Sequence, residues 1–218
     1  MAKKLKLGVL ASGSGTNLQS IIDACAAGNI DAEVTLVISN NPDAGALQRA
    51  RDAGLTYTCI NHRDFSSREQ FDRTVVGALQ DAGVELVCLA GFMRLITEDF
   101  LAAFPGRVIN IHPALLPAFP GLDVQRKAID YGARFSGCTV HFVDTGVDTG
   151  PVIIQAVVPI LDDDTPDTLA ARILRQEHQV YPRAIQLFAE GRLHIEGRRV
   201  RVSESARDDA ALINPPLA

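Results

Sequence analysis

The stretch LKLGVLASGSGTNLQSIIDACAAG, Leu5 to Gly28, holds three structural instructions in a row. Leu5 to Leu10 is apolar but for Lys6 and Gly8 and reads as a buried strand. Ala11 to Ser20 then opens with small residues and glycines, where a backbone can turn tightly or approach a ligand. From Asn17 to Ala27, Leu18, Ile21, Ile22 and Cys25 recur at helical spacing, and Gly28 stops the helix. A strand, a glycine turn and a helix in immediate succession are the opening of an α/β unit.

The same alternation continues along the chain. Strands are expected at Val34 to Ser39, Thr56 to Ile60, Leu86 to Ala90 and Val108 to Ile111. Helices are expected between them, at Asp43 to Ala53, Ser67 to Ala82 and Thr97 to Phe104, with Gly54 and Gly83 ending the first two. The strands are solidly apolar instead of alternating, so both sheet faces are expected to be covered. The second half differs. A helix over Val124 to Tyr131 precedes strands at Cys138 to Val143 and Val152 to Val158, joined by DTGVDTG; they form either a hairpin or a return strand with a long loop. A long helix over Thr168 to Glu190 contains Pro182, where a bend is expected. Leu193 to Ile195 and Val200 to Val202 pair through Gly197. The expected fold class is therefore α/β: an open, doubly wound, mostly parallel sheet with helices on both faces and an antiparallel C-terminal addition. Residues 1–202 read as a single domain, and 203–218, rich in Ala, Asp and Pro, as a flexible tail.

Composition narrows the function. The 218 residues are 47% hydrophobic and 22% charged, with a formal net charge of -5. Such a chain is not built to coat nucleic acid or an anionic membrane. No apolar run reaches the roughly 18 residues needed to span a bilayer, and the N-terminal run is too short for a secretory signal. Cys25, Cys59, Cys88 and Cys138 are widely spaced and form no CxxC pair, so they read as reduced core residues of a cytoplasmic protein. His112, His141 and His178 could supply nitrogen ligands, but metal-binding spacings such as H-E-x-x-H are missing and no metal is expected.

Ligands of an open α/β sheet bind beyond the C-terminal ends of its strands. There, ASGSGTNLQS resembles a phosphate loop whose helix start offers free N–H groups. It lacks the Gly-Lys-Ser/Thr of a Walker sequence, and Leu18 spoils a dinucleotide fingerprint, so a single phosphate suits it better. A tight structural turn without ligand is the alternative. Arg68 could add a cation or lie on a solvated helix face. VINIHPALLPAFPG, Val108 to Gly121, ends its strand in Asn110 and His112 and leaves through three prolines. An amide can donate to a developing oxyanion, an imidazole can donate or relay a proton, and a carboxylate such as Asp144 or Asp148 can orient that imidazole. With no poised serine or cysteine, direct transfer of a group to an external nucleophile fits better than an acyl-enzyme. Glu177 and His178, in QEHQVYP, could simply face solvent.

Taken with SGSGTNLQ, AGFMRL, NIHPALLP, VHFVDTGVDTGPVI and QEHQVYP, the chain from about Lys6 to Val200 resembles the folate-dependent phosphoribosylglycinamide formyltransferases. The resemblance implies transfer of a formyl group from 10-formyltetrahydrofolate, as co-substrate, to the amine of glycinamide ribonucleotide. Asn110, His112 and Asp148 match the family's catalytic trio. Gly15, Thr16 and Asn17 match its phosphate loop, Arg68 a residue that reaches the phosphate, and Glu177 the ribose-binding acid. Met93, Arg94, Leu95, Val143, Asp144 and Asn110 itself match its folate pocket. Ala114 stands where a small hydroxyl residue is often found. Family members are monomers or homodimers. A formyltetrahydrofolate hydrolase, a methionyl-tRNA formyltransferase and a non-catalytic phosphosugar- or folate-binding module are the other readings; the first two ordinarily carry additional domains.

Overall fold

The computed structural model describes residues 3–204, together with Leu212 and Asn214. Most of the expected tail, 203–218, therefore lies outside the described residues. β1 (Leu5–Ala11) leads through the glycine turn into α1 (Thr16–Ala26). β2 (Ala32–Ser39), α2 (Gly45–Asp52) and the short β3 (Tyr57–Cys59) follow. A 3₁₀ turn at His62–Asp64, which periodicity does not reveal, precedes α3 (Arg68–Asp81). β4 (Leu86–Leu89), α4 (Glu98–Ala103) and β5 (Val108–His112) complete the parallel part. Then come α5 (Val124–Tyr131), β6 (Phe135–Phe142), β7 (Val152–Pro159), α6 (Pro166–Ala189), β8 (Leu193–Glu196) and β9 (Arg199–Val202).

The nine strands lie in the order β3-β2-β1-β4-β5-β6-β7-β9-β8. The first five neighbours pair in parallel. β6 runs antiparallel to β5 and to β7, so the two strands joined by DTGVDTG are antiparallel neighbours. The terminal hairpin joins the sheet through a parallel contact, Val152 beside Arg199. The fold is thus the expected mostly parallel sheet with an antiparallel C-terminal addition.

Alternate side chains feed two cores. Leu7, Val9, Cys88, Ile109 and Ile111 face α1, α5 and α6, where Leu18, Ile21, Ala128, Ile173 and Ile185 meet them. Leu10, Val87, Leu89 and Val108 face α3 and α4, packing with Phe71, Val75, Leu79 and Phe100. The central strands β1, β4 and β5 are buried on both faces over most of their length, which explains their mostly apolar sequences. α6 begins with a capping box between Thr165 and Thr168, has Pro166 in its first turn and continues through Pro182. Its Tyr181 is fully buried, and its one hydroxyl hydrogen is shared between the carbonyls of Leu89, 3.0 Å away, and Ile109, 3.2 Å away. Two strand ends are thereby tied to one helix. Cys88 and Cys138 are core residues as expected, but Cys25 is half-buried and Cys59, on the edge strand β3, is exposed. An apolar local sequence does not tell an edge strand from a central one.

The chain reverses its winding between β1 and β4. Crevices form at such a switch because the loops on either side diverge. The glycine turn leaves β1 there and Gly91 leaves β4. The Ser12 N–H donates to the Gly91 carbonyl at 3.0 Å and closes the two loops together.

Candidate active site

The glycine turn is shaped by close packing. Gly15 has φ +73°, and a Cβ there would lie 2.6 Å from the Ala46 Cα of α2. Only glycine suits both the angle and the approach. Ala46 N–H donates to the Gly13 carbonyl at 3.1 Å, and Arg49 Nε to the Ser14 carbonyl at 2.8 Å. Gly15 caps α1 without a side-chain bond, leaving the first N–H groups of the helix for another acceptor. Asn17, buried, donates its Nδ2 to Glu177 Oε2 at 2.7 Å across 160 residues of chain. Its Oδ1 is buried without a partner. Glu177 does not face solvent: it is buried, and that burial raises its carboxyl pKa, opposed by the Asn17 bond.

Asn110 and His112 occupy the end of β5 and point to the same side of the strand, as residues two apart must. His112 is 4% exposed. Its Nε2 lies 2.9 Å from the Phe119 carbonyl, and its Nδ1 3.4 Å from Asp148 Oδ2. Both ring nitrogens thus face acceptor oxygens. The proline-rich exit supplies the first acceptor: Phe119 adopts φ +52°. The exit also takes hold of the second, because Gly121 N–H donates to Asp148 Oδ2 at 2.9 Å. Asp148 itself is left-handed, φ +53°. Its loop folds on Asp144, whose Oδ1 accepts from Gly146 N–H and Thr149 Oγ1. Asn110, His112 and Asp148 are therefore brought together. His141 joins them, directly opposite Asn110 on β6. Sequence spacing presents it only as a metal candidate. Among the described residues no group of three or more His, Cys, Asp or Glu side chains could hold a metal ion.

These residues line a cavity of about 930 Å³, large enough for a multi-ring ligand. Its walls include Leu89, Phe92, Met93, Arg94, Leu95 and Val143, with Asp144 on the loop side. Met93 is 66% exposed, and its backbone N–H is fixed by Ser12 Oγ at 2.8 Å. Ser12 in turn donates to Asn40 Oδ1 at 2.6 Å. This small chain from the end of β1 to the end of β2 sets the Met93 loop; Ser12 and Met93 lie in quoted motifs, but nothing in the sequence links them. Arg68 lines the same cavity as Arg94. Arg94 Nε is buried without a partner. Behind both arginines sits Asp72, which accepts from Thr97 N–H at 2.8 Å; burial raises its pKa while Arg68 and Arg94 draw it down. A second, open depression of about 800 Å³ along α1 and α6, lined by Thr16, Arg49, His178 and Arg183, contains none of the trio.

The fold is shared with known proteins. Residues 5–185 match the formyl transferase family. Glycinamide ribonucleotide transformylase 1 from Symbiobacterium toebii is 54% identical, and its crystal structure superposes with a TM-score of 0.91 over 93% of this chain and 95% of that one. Phosphoribosylglycinamide formyltransferase of Escherichia coli (strain K12) is 42% identical over 208 residues, 92% of this chain and 98% of that protein. Trifunctional purine biosynthetic protein adenosine-3 of Drosophila melanogaster is 50% identical over 191 residues, but the chain spans only 14% of its length. With the match running from β1 into α6 and so close a structural likeness, the chain belongs to the formyl transferase family, among its phosphoribosylglycinamide formyltransferases.

Proposed function

We propose that this protein moves the formyl group of 10-formyltetrahydrofolate to the amine of glycinamide ribonucleotide. The observation that carries the reading is the convergence of Asn110, His112 and Asp148 on one cavity, whose Gly91 loop is bonded to the glycine turn before the uncapped start of α1. The folate would occupy the cavity, with its ring system against Leu89, Phe92 and Val143 and its polar edges at the backbone of the 93–95 and 143–148 loops. Arg68 and Arg94 give that cavity two cations. On the other side, Gly15, Thr16 and Asn17 would receive the phosphate of the ribonucleotide, and Glu177 its ribose. Binding energy at the phosphate would then hold the amine over the formyl carbon.

The amine attacks that carbon and its lone pair forms the new C–N bond. The carbonyl electrons move to oxygen, where the second Nδ2 hydrogen of Asn110 meets the charge. His112 contributes its Nε2–H once the Phe119 carbonyl gives way. Asp148 receives the proton released by the amine, directly or through water, and keeps the imidazole oriented. Collapse breaks the bond to the folate nitrogen, which leaves with a proton, giving formylated ribonucleotide and tetrahydrofolate.

A steady-state assay of tetrahydrofolate release, with and without the ribonucleotide, tests the reading. Turnover is expected only when the ribonucleotide is present. Release without it would make the protein a hydrolase, and silence in both conditions from folded protein would leave a binding module.

A further inference from the structure

We infer that His141 is a positioning residue for transfer: it stays neutral and accepts a hydrogen bond from Asn110, which aims the Asn110 amide at the reacting carbonyl. The inference rests on the proposed oxyanion role of Asn110 and deepens it. His141 is 2% exposed and sits opposite Asn110 in the antiparallel β5–β6 pair. Its Nδ1 lies 2.8 Å from the Phe142 carbonyl, which can only accept, so Nδ1 carries the hydrogen. In a neutral ring Nε2 is then a bare acceptor, and it faces Asn110 Nδ2 at 3.2 Å.

A primary amide has two N–H bonds. One is taken by His141, which leaves the other, held in a fixed plane, for the cavity. An Asn side chain without that acceptor could flip and offer Oδ1, which would repel a developing oxyanion. The surrounding charges bear on the neutral state. Asp148 Oδ1 is 3.8 Å from Nε2, longer than a hydrogen bond. Asp148 and Asp144 favour protonation and His112 opposes it, while burial pushes the imidazole pKa down and dominates. A register irregularity between Val140 and His141 accompanies this placement. It falls where the ring turns toward β5.

The test compares His141→Leu, which removes the acceptor, with His141→Gln, whose Oε1 can stand near the place of Nε2. His141→Leu is expected to lower kcat by roughly 10- to 100-fold, less than the about 100- to 1,000-fold expected of deleting an oxyanion donor outright. KM for both substrates should hardly move, and His141→Gln should recover much of the rate. In an Asn110→Ala background, His141→Leu should cost little more. A full, additive loss there, or normal turnover of His141→Leu alone, would overturn the inference. If Asn110→Ala itself turned over normally, the oxyanion reading would fail instead, so the two failures are distinguishable. Should His141→Leu not fold, the nitrogen-15 resonance of the Asn110 side-chain amide decides. It should shift between wild type and His141→Asn, which keeps only the Phe142 contact, and return in His141→Gln; an amide that does not respond overturns the inference.

Discussion

At the scale of single residues, Asp148 is tied down twice, by Gly121 N–H and by the His112 ring. Asp148→Asn preserves size but removes the charge proposed to orient the ring and take a proton. Turnover is expected to fall about 100- to 10,000-fold, with ribonucleotide affinity by calorimetry little changed; near-normal turnover would refute the proton role. Asn17 and Glu177 allow a second test. Asn17→Ala is expected to raise KM for the ribonucleotide far more than for folate, and equal weakening of both would undo the assignment of that loop. Glu177 also carries a pH signature. Its folded pKa is raised above the ordinary 4.5 by burial, so the folded state binds the proton more tightly than the unfolded chain. Stability from this group is thus greatest at low pH and declines as pH climbs from the ordinary value through the raised one. Glu177→Gln should remove that slope from thermal melts recorded across the range. An unchanged slope would mean that another group is responsible.

At the scale of elements, α6 matters beyond its packing. The Tyr181 hydroxyl holds the carbonyls of Leu89, just before the loop that carries Met93, and of Ile109, next to Asn110 on β5. Tyr181→Phe should cost about 1–3 kcal/mol, the range for leaving buried polar groups without a partner. Denaturant midpoints at constant m-value would measure it, and an unchanged midpoint would show the bonds to be dispensable. β6 and β7 meet even more closely. A Cβ on Gly137 would overlap the Ala156 carbonyl oxygen. Most of these elements are visible in the sequence, because periodicity and glycine stops are local signals. α5 begins and ends as the sequence indicates, and the others shift by a few residues at their ends. The 3₁₀ turn at His62–Asp64 escapes such reading, since three residues hold no period.

At the scale of the whole molecule, the β1–β4 switch places the glycine turn beside the cavity, the two regions proposed to take the ribonucleotide and the folate. Each substrate should therefore stabilise the fold on its own, by about 2.7 kcal/mol at one hundred times its dissociation constant, and both together should add. Thermal melts with each ligand and with the pair would show this; a ribonucleotide that leaves the midpoint unchanged would argue against the glycine-turn site. The sequence by itself determined the alternation of strands and helices, the glycine turn, the polar end of β5 and, through the quoted motifs, the family. All of these are written in contiguous residues. Only the tertiary structure decided that Asn17 meets Glu177, that His141 stands opposite Asn110, that Asp148 reaches His112, and that Arg68 shares a cavity with Arg94. It also settled β6 and β7 as antiparallel neighbours and seated the β8–β9 hairpin at the sheet edge. The physical reason is the same in each case. Strand order, register and helix docking are set by burying two faces of one sheet at once, and the energy of that burial depends on residues far apart in the chain.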